Sequence, residues 1–362
     1  MWGVALVALI IAAFPAFAQV YTSKGSYPRL ERRKRFRGDN CHCQGSVSLV
    51  VVGDLMMGGS ALPILHQKGA DYPFDLTRTH LHTADIALAN LEAPFTHSGK
   101  AFDKTFIFRV PPEYAGGVAR AGFDVLTLAN NHILDYGPEG LFSTVMVLDS
   151  LGIAHCGVGH DLSAAERGVV VKRGPWRVGF LAYSMTYPAD FWATLGRMGT
   201  AYPYPERFKE CLRVMREEAD LIVVSFHWGG ELKVDPKPYQ RLFAHRAIDW
   251  GADLVVGHHP HVLQGLEIYE DRLIAYSMGN FVFGSYSRNV RESIILKVRY
   301  DSMGFLMAEV IPISVFNYDV QFQPRLLEGA LREKVIQRLN DISSDLNGGR
   351  KIVRESGIIV NE

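Results

Sequence analysis

The chain has 362 residues, 48% of them hydrophobic and 21% charged, proportions that exclude a globally disordered chain and a polytopic membrane protein. Lys plus Arg and Asp plus Glu balance at 38 each, which speaks against a nucleic-acid partner held by bulk positive charge. Four cysteines, Cys41, Cys43, Cys156 and Cys211, are too few for a disulfide scaffold, and Cys41-His42-Cys43 lacks the second half of a zinc-finger spacing.

Residues 1–18 form an apolar run that closes on the small-x-small pattern Ala16-Phe17-Ala18. It reads as a secretory signal peptide or as an uncleaved N-terminal anchor, with the basic residues from Arg29 to Arg37 holding their flank inside. An exported or envelope-associated protein is the expectation by either route. Residues 19–45 are polar, basic and broken by Gly and Pro, as in a linker. From Val47 an apolar strand runs into Gly53-Asp54. A short helix is expected over 74–82, then a strand from Ile86 to Leu91 that stops near Glu92 because Pro94 follows. A helix over 111–121 leads to a strand from Phe123 to Ala129 and directly into Asn130-Asn131-His132. Pro138 opens a helix to Ser150, closed by Gly152.

A hairpin is predicted from Gly168–Val171 and Arg177–Tyr183. The stretch from Tyr183 to Tyr204 is rich in aromatics, Gly and Pro, and reads either as a loop over a site or as core filling. A helix over 207–218 precedes a strand from Leu221 to Phe226 with His227 at its end. Another helix, over 238–250, precedes Leu254–Val256 and the run Gly257-His258-His259-Pro260-His261. A second hairpin, Leu266–Tyr269 with Leu273–Tyr276, leads to Gly279-Asn280-Phe281. Strands over 292–300 and 305–313 and a helix over 327–340 complete the chain. The pattern describes one α/β domain over 46–318, followed by a C-terminal helix and tail over 319–362.

The chemistry gathers at strand ends, where open α/β sheets bind ligands. Five such ends deliver Asp54, Glu92, Asn131 with His132, His227, and His259 with His261. Carboxylate, amide oxygen and imidazole are donors for Mn, Zn, Fe or Mg rather than for thiolate-loving metals. Two ions about 3.5 to 4 Å apart would activate a bridging water and clamp a phosphoryl group. His258 is expected to stay outside the ligand set, since the His259-Pro260-His261 pair already fixes two imidazoles beside a rigid turn. Ser225 lacks a Gly-x-Ser-x-Gly frame, so a serine hydrolase is not expected.

Gly53-Asp54-Leu55-Met56, Asn90-Leu91-Glu92, Ala129-Asn130-Asn131-His132, His227-Trp228-Gly229-Gly230-Glu231, Gly257-His258-His259-Pro260-His261 and Gly279-Asn280-Phe281 together resemble the CapA family of poly-γ-glutamate capsule biosynthesis proteins, in family order. That family looks like a branch of the calcineurin-like metallophosphoesterases. The resemblance implies a four-layer sandwich of two mixed sheets flanked by helices. It implies one or two divalent ions, Mn, Fe or Zn, held by Asp54, Glu92, Asn131, His227, His259 and His261, with Glu92 as the bridging carboxylate. His132 takes the place of the general acid, and Glu231 that of a residue orienting ligand or substrate.

Three positions depart from the superfamily pattern. Met56 stands where a metal-binding His is usual, Glu92 replaces an Asp, and Ile133 stands where an Asp commonly follows Asn-His. The implied function is metal-dependent ester hydrolysis at the cell envelope, in synthesis, release or attachment of an anionic polymer such as poly-γ-glutamate. The alternative is a non-catalytic component that binds polymer or a membrane-bound capsule synthase through a degenerate metal site.

Overall fold

The structure, a computed structural model, describes residues 45–360. The leader or anchor, all but the last residue of the linker, and the Cys41-His42-Cys43 fragment lie outside the described residues. Among the described residues no helix is long and apolar enough to cross a membrane.

In chain order the strands are β1 (Ser46–Met56), β2 (Ile86–Leu91), β3 (Val125–Thr127), β4 (Ala154–Cys156), β5 (Val158–Gly159), β6 (Val169–Arg173), β7 (Trp176–Ser184), β8 (Gly199–Thr200) and β9 (Leu221–His227). There follow β10 (Leu254–His258), β11 (Leu266–Tyr269), β12 (Arg272–Ala275), β13 (Asn280–Phe283), β14 (Glu292–Asp301), β15 (Gly304–Ser314), β16 (Arg325–Leu326) and β17 (Ile358–Val360). One mixed sheet has the order β16-β15-β14-β1-β2-β3-β4, with β13 also beside β1 and β17 beside β15. The second has the order β11-β12-β10-β9-β7-β6.

Side-chain alternation along β1 sorts the core into layers. Val47, Leu49 and Val51 face the second sheet and pack with Val178, Phe180, Val223, Leu254 and Val256. Val50 and Val52 point the other way, into a cluster with Leu65, Leu81, Val118 and Leu141 of the covering helices. The second sheet's outer face is covered by the helices Pro205–Glu218 and Pro238–Asp249, which bury Phe208, Leu212, Phe243 and Ala247. Helix, sheet, sheet, helix is the four-layer sandwich that was expected.

Three elements differ from expectation. The strand predicted over 123–129 contracts to Val125–Thr127, because the Asn130 side chain accepts the N–H groups of His132 (3.0 Å) and Ile133 (2.9 Å) and bends the chain there. The helix predicted over 74–82 begins only at Arg78, after a 3₁₀ turn at Tyr72–Phe74 that holds Pro73. The C-terminal segment is part of the domain rather than an appendage after 318. Strands β16 and β17 both pair with β15, and Val335, Ile336 and Leu339 of the helix Gly329–Ser343 enter the inter-sheet core. Ile359→Ala in β17, where the side chain is fully buried, is therefore expected to lower stability by about 2–5 kcal/mol in urea unfolding. A peripheral tail would show almost no change.

Candidate metal centre and active site

The parallel strands of both sheets present their C-terminal ends to one place. Gly53 precedes Asp54 because the backbone of Gly279 passes so close that a Cβ would lie 2.0 Å from its carbonyl oxygen. The close approach lets the Asp54 N–H donate to that oxygen at 2.9 Å and sets β13, with Asn280, beside β1.

Asp54 is buried, and each carboxylate oxygen is surrounded. Oδ1 accepts the Asn90 side-chain amide at 2.9 Å and lies 3.2 Å from His258 Nδ1. Oδ2 accepts the His259 N–H at 3.2 Å and lies 3.3 Å from His261 Nδ1. The same Asn90 amide donates to Glu92 Oε1 at 3.1 Å, and its own oxygen accepts from Asn130 at 3.2 Å and Thr127 at 3.3 Å. On the second sheet His227 Nε2 donates to Asn131 Oδ1 at 2.7 Å, while its Nδ1 lies 3.5 Å from Glu92 Oε1. His259 and His227 have ring centroids 4.8 Å apart, and His261 Nδ1 donates to Asn280 Oδ1 at 2.9 Å.

All six proposed donor residues thus converge, and three of them are tightest. Donor atoms of Asp54, Glu92 and His261 all lie within 4.8 Å of one another. Two buried atoms among the donors, Glu92 Oε2 and His259 Nδ1, have no hydrogen-bond partner among the described residues. Buried polar atoms are nearly always satisfied, so bare oxygen and imidazole nitrogen beside a carboxylate cluster fit a divalent cation in both number and type. His259 and His261 also carry positive φ of 94° and 60°, a conformation that side chains other than glycine rarely adopt. Such strain persists only where surrounding contacts over-determine it, here Pro260 between the two residues and the His259 N–H on Asp54.

Charge follows from this packing. Burial works to raise the Asp54 carboxyl, but His258 and His261 outweigh it and hold the group well below the usual range. Glu92 is pushed well above its usual range by burial and by the neighbouring Asp54. Burial also brings His259 down to about 3 and lowers His227 well below its ordinary value, so both rings are neutral and ready to donate a lone pair. Burial lowers His261 as well, yet its contacts with Asp54 and Asn280 leave it raised.

Met56, at the position where a further ligand would be usual, packs in the hydrophobic cluster under the first sheet, and its sulfur accepts the Gly58 N–H at 3.2 Å. His258 is fully buried beside Asp54 and meets the carboxylate oxygen that His261 does not. Two histidines outside the cluster have ordinary partners: His245 sits 3.0 Å from Glu267 and His97 2.9 Å from Glu113.

His132 follows Asn131 and turns toward a second group. Its Nδ1 lies 2.8 Å from Asp135 Oδ2, and since a carboxylate only accepts, the ring carries its proton there and leaves Nε2 free. Burial lowers His132 from its ordinary value. Asp135 is the functional residue that sequence reading missed. The turn built by Asn130 brings residue 135 back over the imidazole. The signal was a lone acid three residues after the histidine. Asn90 and Asn280 stood inside recognised motifs without a role; both prove to hold donors in place. A cavity of about 190 Å³ is lined by His132, Asn131, Lys104, Thr105, Phe106, Tyr187 and Glu231. Glu231 is exposed at this cavity and not among the buried donors. The aromatic segment divides between the two readings: Tyr183 is buried core, whereas Tyr187, 65% exposed, lines the cavity.

Residues 48–285 match the family described as bacterial capsule synthesis protein PGA_cap. The chain is 31% identical over 277 residues to the capsule biosynthesis protein CapA of Bacillus anthracis, covering 74% of this chain and 67% of that protein. It is 30% identical over 349 residues to the PGA biosynthesis protein CapA of Bacillus subtilis (strain 168), covering 96% of this chain and 88% of the relative. Among solved structures it is similar to a novel phosphatase of Mycoplasma pneumoniae, at 15% identity and a TM-score of 0.48, over 75% of this chain and 94% of that one.

Proposed function

This chain belongs to the bacterial capsule synthesis protein PGA_cap family, and from that premise we propose that it is a metal-dependent hydrolase of ester bonds acting in poly-γ-glutamate capsule biosynthesis at the cell envelope. The observation that carries the reading is the Asp54, Glu92 and His261 cluster joined, through His227 between Glu92 and Asn131, to the His132–Asp135 pair, with Asn131 and His132 lining one cavity. A bound divalent ion would supply a polarised phosphoryl oxygen and an activated water. Asp54, Glu92 and His261 would hold it, with Asn131, His227 and His259 as donors for a second ion. Asp135 fixes the His132 tautomer so that Nε2 is the atom left to exchange a proton with the leaving oxygen. An anionic substrate in the cavity favours the protonated ring and offsets the burial that lowers it. Phe106, Tyr187 and Glu231 define the rim that would orient the rest of the substrate, an anionic polymer or phosphoester.

Proton linkage gives a first test. Glu92 and His261 both hold protons more tightly than usual, and a ligand must shed its proton to bind metal. Metal uptake therefore releases protons, and affinity is expected to fall as the solution is taken from about pH 8 to about pH 5. Titration calorimetry in two buffers of different ionisation enthalpy measures both. Affinity independent of pH, without proton release, would contradict the assigned ligands.

A second reading rests on Met56. Its sulfur is committed to Gly58, so that position adds no donor, and a weaker first ion would leave a component that binds polymer or a membrane-bound synthase without turnover. Hydrolysis of generic phosphomonoesters and phosphodiesters by the purified chain separates the two. Metal-dependent turnover supports the hydrolase; metal binding without turnover supports the second reading.

A further inference from the structure

We propose that Lys104 is a positioning residue for proton transfer at His132, an inference that rests on the hydrolase reading above. Lys104 lies in the irregular segment between β2 and the helix Ala115–Ala121, and the segment folds back so that its ammonium reaches three groups. Its Nζ is 2.5 Å from Asp135 Oδ1, donates to the main-chain carbonyl of Asn131, and lies 3.2 Å from His132 Nδ1. The last contact is proximity rather than a hydrogen bond, because that nitrogen already gives its proton to Asp135. The cation therefore acts on the carboxylate and the carbonyl.

The two oxygens of Asp135 are unequal. Oδ2 accepts the Phe108 N–H at 2.7 Å and the His132 Nδ1–H at 2.8 Å. Oδ1 is buried and has no hydrogen bond among the described residues, so the ammonium is what compensates it. A buried carboxylate stripped of its cation rotates or takes up a proton. Either response loosens the bond that fixes the imidazole. The bond to the Asn131 carbonyl ties the same ammonium to the residue just before His132, whose side chain faces His227. One cation thereby sets two adjacent residues, one on the donor side and one on the proton-transfer side. Lys104 is also 5.2 Å over the Phe191 ring, which links the aromatic segment to the arrangement. Its side chain is 18% exposed at the cavity wall, placed to hold residues more than to greet substrate.

The test compares two phosphodiesters in the metal-loaded full chain. For Lys104→Met, kcat is expected to fall about 10²-fold on an alkyl ester, whose leaving oxygen needs a proton, and less than about 10-fold on a p-nitrophenyl ester, which leaves as a stable anion. Lys104→Arg restores most of the alkyl activity. In a His132→Ala background, adding Lys104→Met changes kcat by less than about 2-fold, because the two residues act as one unit. Equal losses on both esters, or additive losses in the double variant, overturn the proposal and reduce Lys104 to a structural ion pair. If the unaltered chain turns over neither ester with any divalent metal, it is the hydrolase reading that fails. A crystal structure of Lys104→Met then decides the positioning claim alone: Asp135 and the His132 ring displaced uphold it, and both unmoved overturn it.

Discussion

His132→Ala is expected to lower kcat on a phosphoester by about 10²- to 10⁴-fold while metal content stays unchanged. The separation follows from geometry. His132 bonds to Asp135 and packs against Phe108, at 4.7 Å between ring centroids, and shares no hydrogen bond with Asp54, Glu92 or His261. Removing it deletes the free Nε2 beside the cavity and leaves the donors on the other strands in place. The loss should be largest on esters with poor leaving groups. A variant that loses metal along with turnover would show instead that residue 132 supports the donor set, and the proton-transfer role would have to be withdrawn. Asp135→Asn is expected to move in the same direction, because an amide at this point can hold the wrong tautomer of the ring.

Asp54→Asn is expected to weaken divalent-metal binding by about 10²-fold or more, beyond the 10- to 100-fold typical of losing a residue that merely orients a ligand. The substitution keeps the shape of the side chain and removes its charge. Four groups converge on that carboxylate, the Asn90 amide, the His259 N–H and the His258 and His261 rings. An amide cannot accept from all of them, and the negative charge that holds His261 above its ordinary value disappears. Equilibrium dialysis against Mn or Zn reads the affinity, and far-ultraviolet circular dichroism checks that the fold is retained. Unchanged affinity in a folded variant would place the cation elsewhere.

Strand ends were legible because strongly apolar parallel strands announce themselves, and the polar residues within a few positions of their C-terminal ends gather at one place: Asp54 two residues inside the end of β1, His227 closing β9, and Glu92, His259 and His261 just past β2 and β10. Asp54, Glu92, His227, His259 and His261 were found in that way, and the structure brings them together. The four-layer arrangement came from family resemblance, since periodicity alone says nothing of how two sheets stack. What stayed hidden depended on contacts between distant segments. Asp135 needed the turn that Asn130 builds, Lys104 needed an irregular loop to fold back, and Asn280 needed Gly53 to let β13 approach. The C-terminal strand was invisible for a related reason: Ile358–Val360 is too short to show alternation, and only its pairing with Met307–Glu309 makes it a strand. His258 reads as a spare histidine in sequence, yet burial against Asp54 makes it part of the electrostatics of the centre.

Met56 marks the point at which the two functional readings part. A buried thioether bound to Gly58 offers no hard donor at this position, while donor atoms of Asp54, Glu92 and His261 lie within 4.8 Å of one another. Three donors and solvent are enough for a catalytic ion with open positions, as in many hydrolytic sites. The hydrolase reading therefore depends on whether that ion binds tightly enough to activate water.

Turnover of a p-nitrophenyl phosphodiester by the purified full chain, stripped with chelator and then titrated with Mn, Fe or Zn, tests this directly. A metal-dependent hydrolase is expected to show no hydrolysis in the stripped protein, recovery with at least one of the three ions, and no recovery in Asp54→Asn at the same metal concentration. Stoichiometric metal uptake without hydrolysis under any of the three would contradict it and leave a metal-binding component without catalysis.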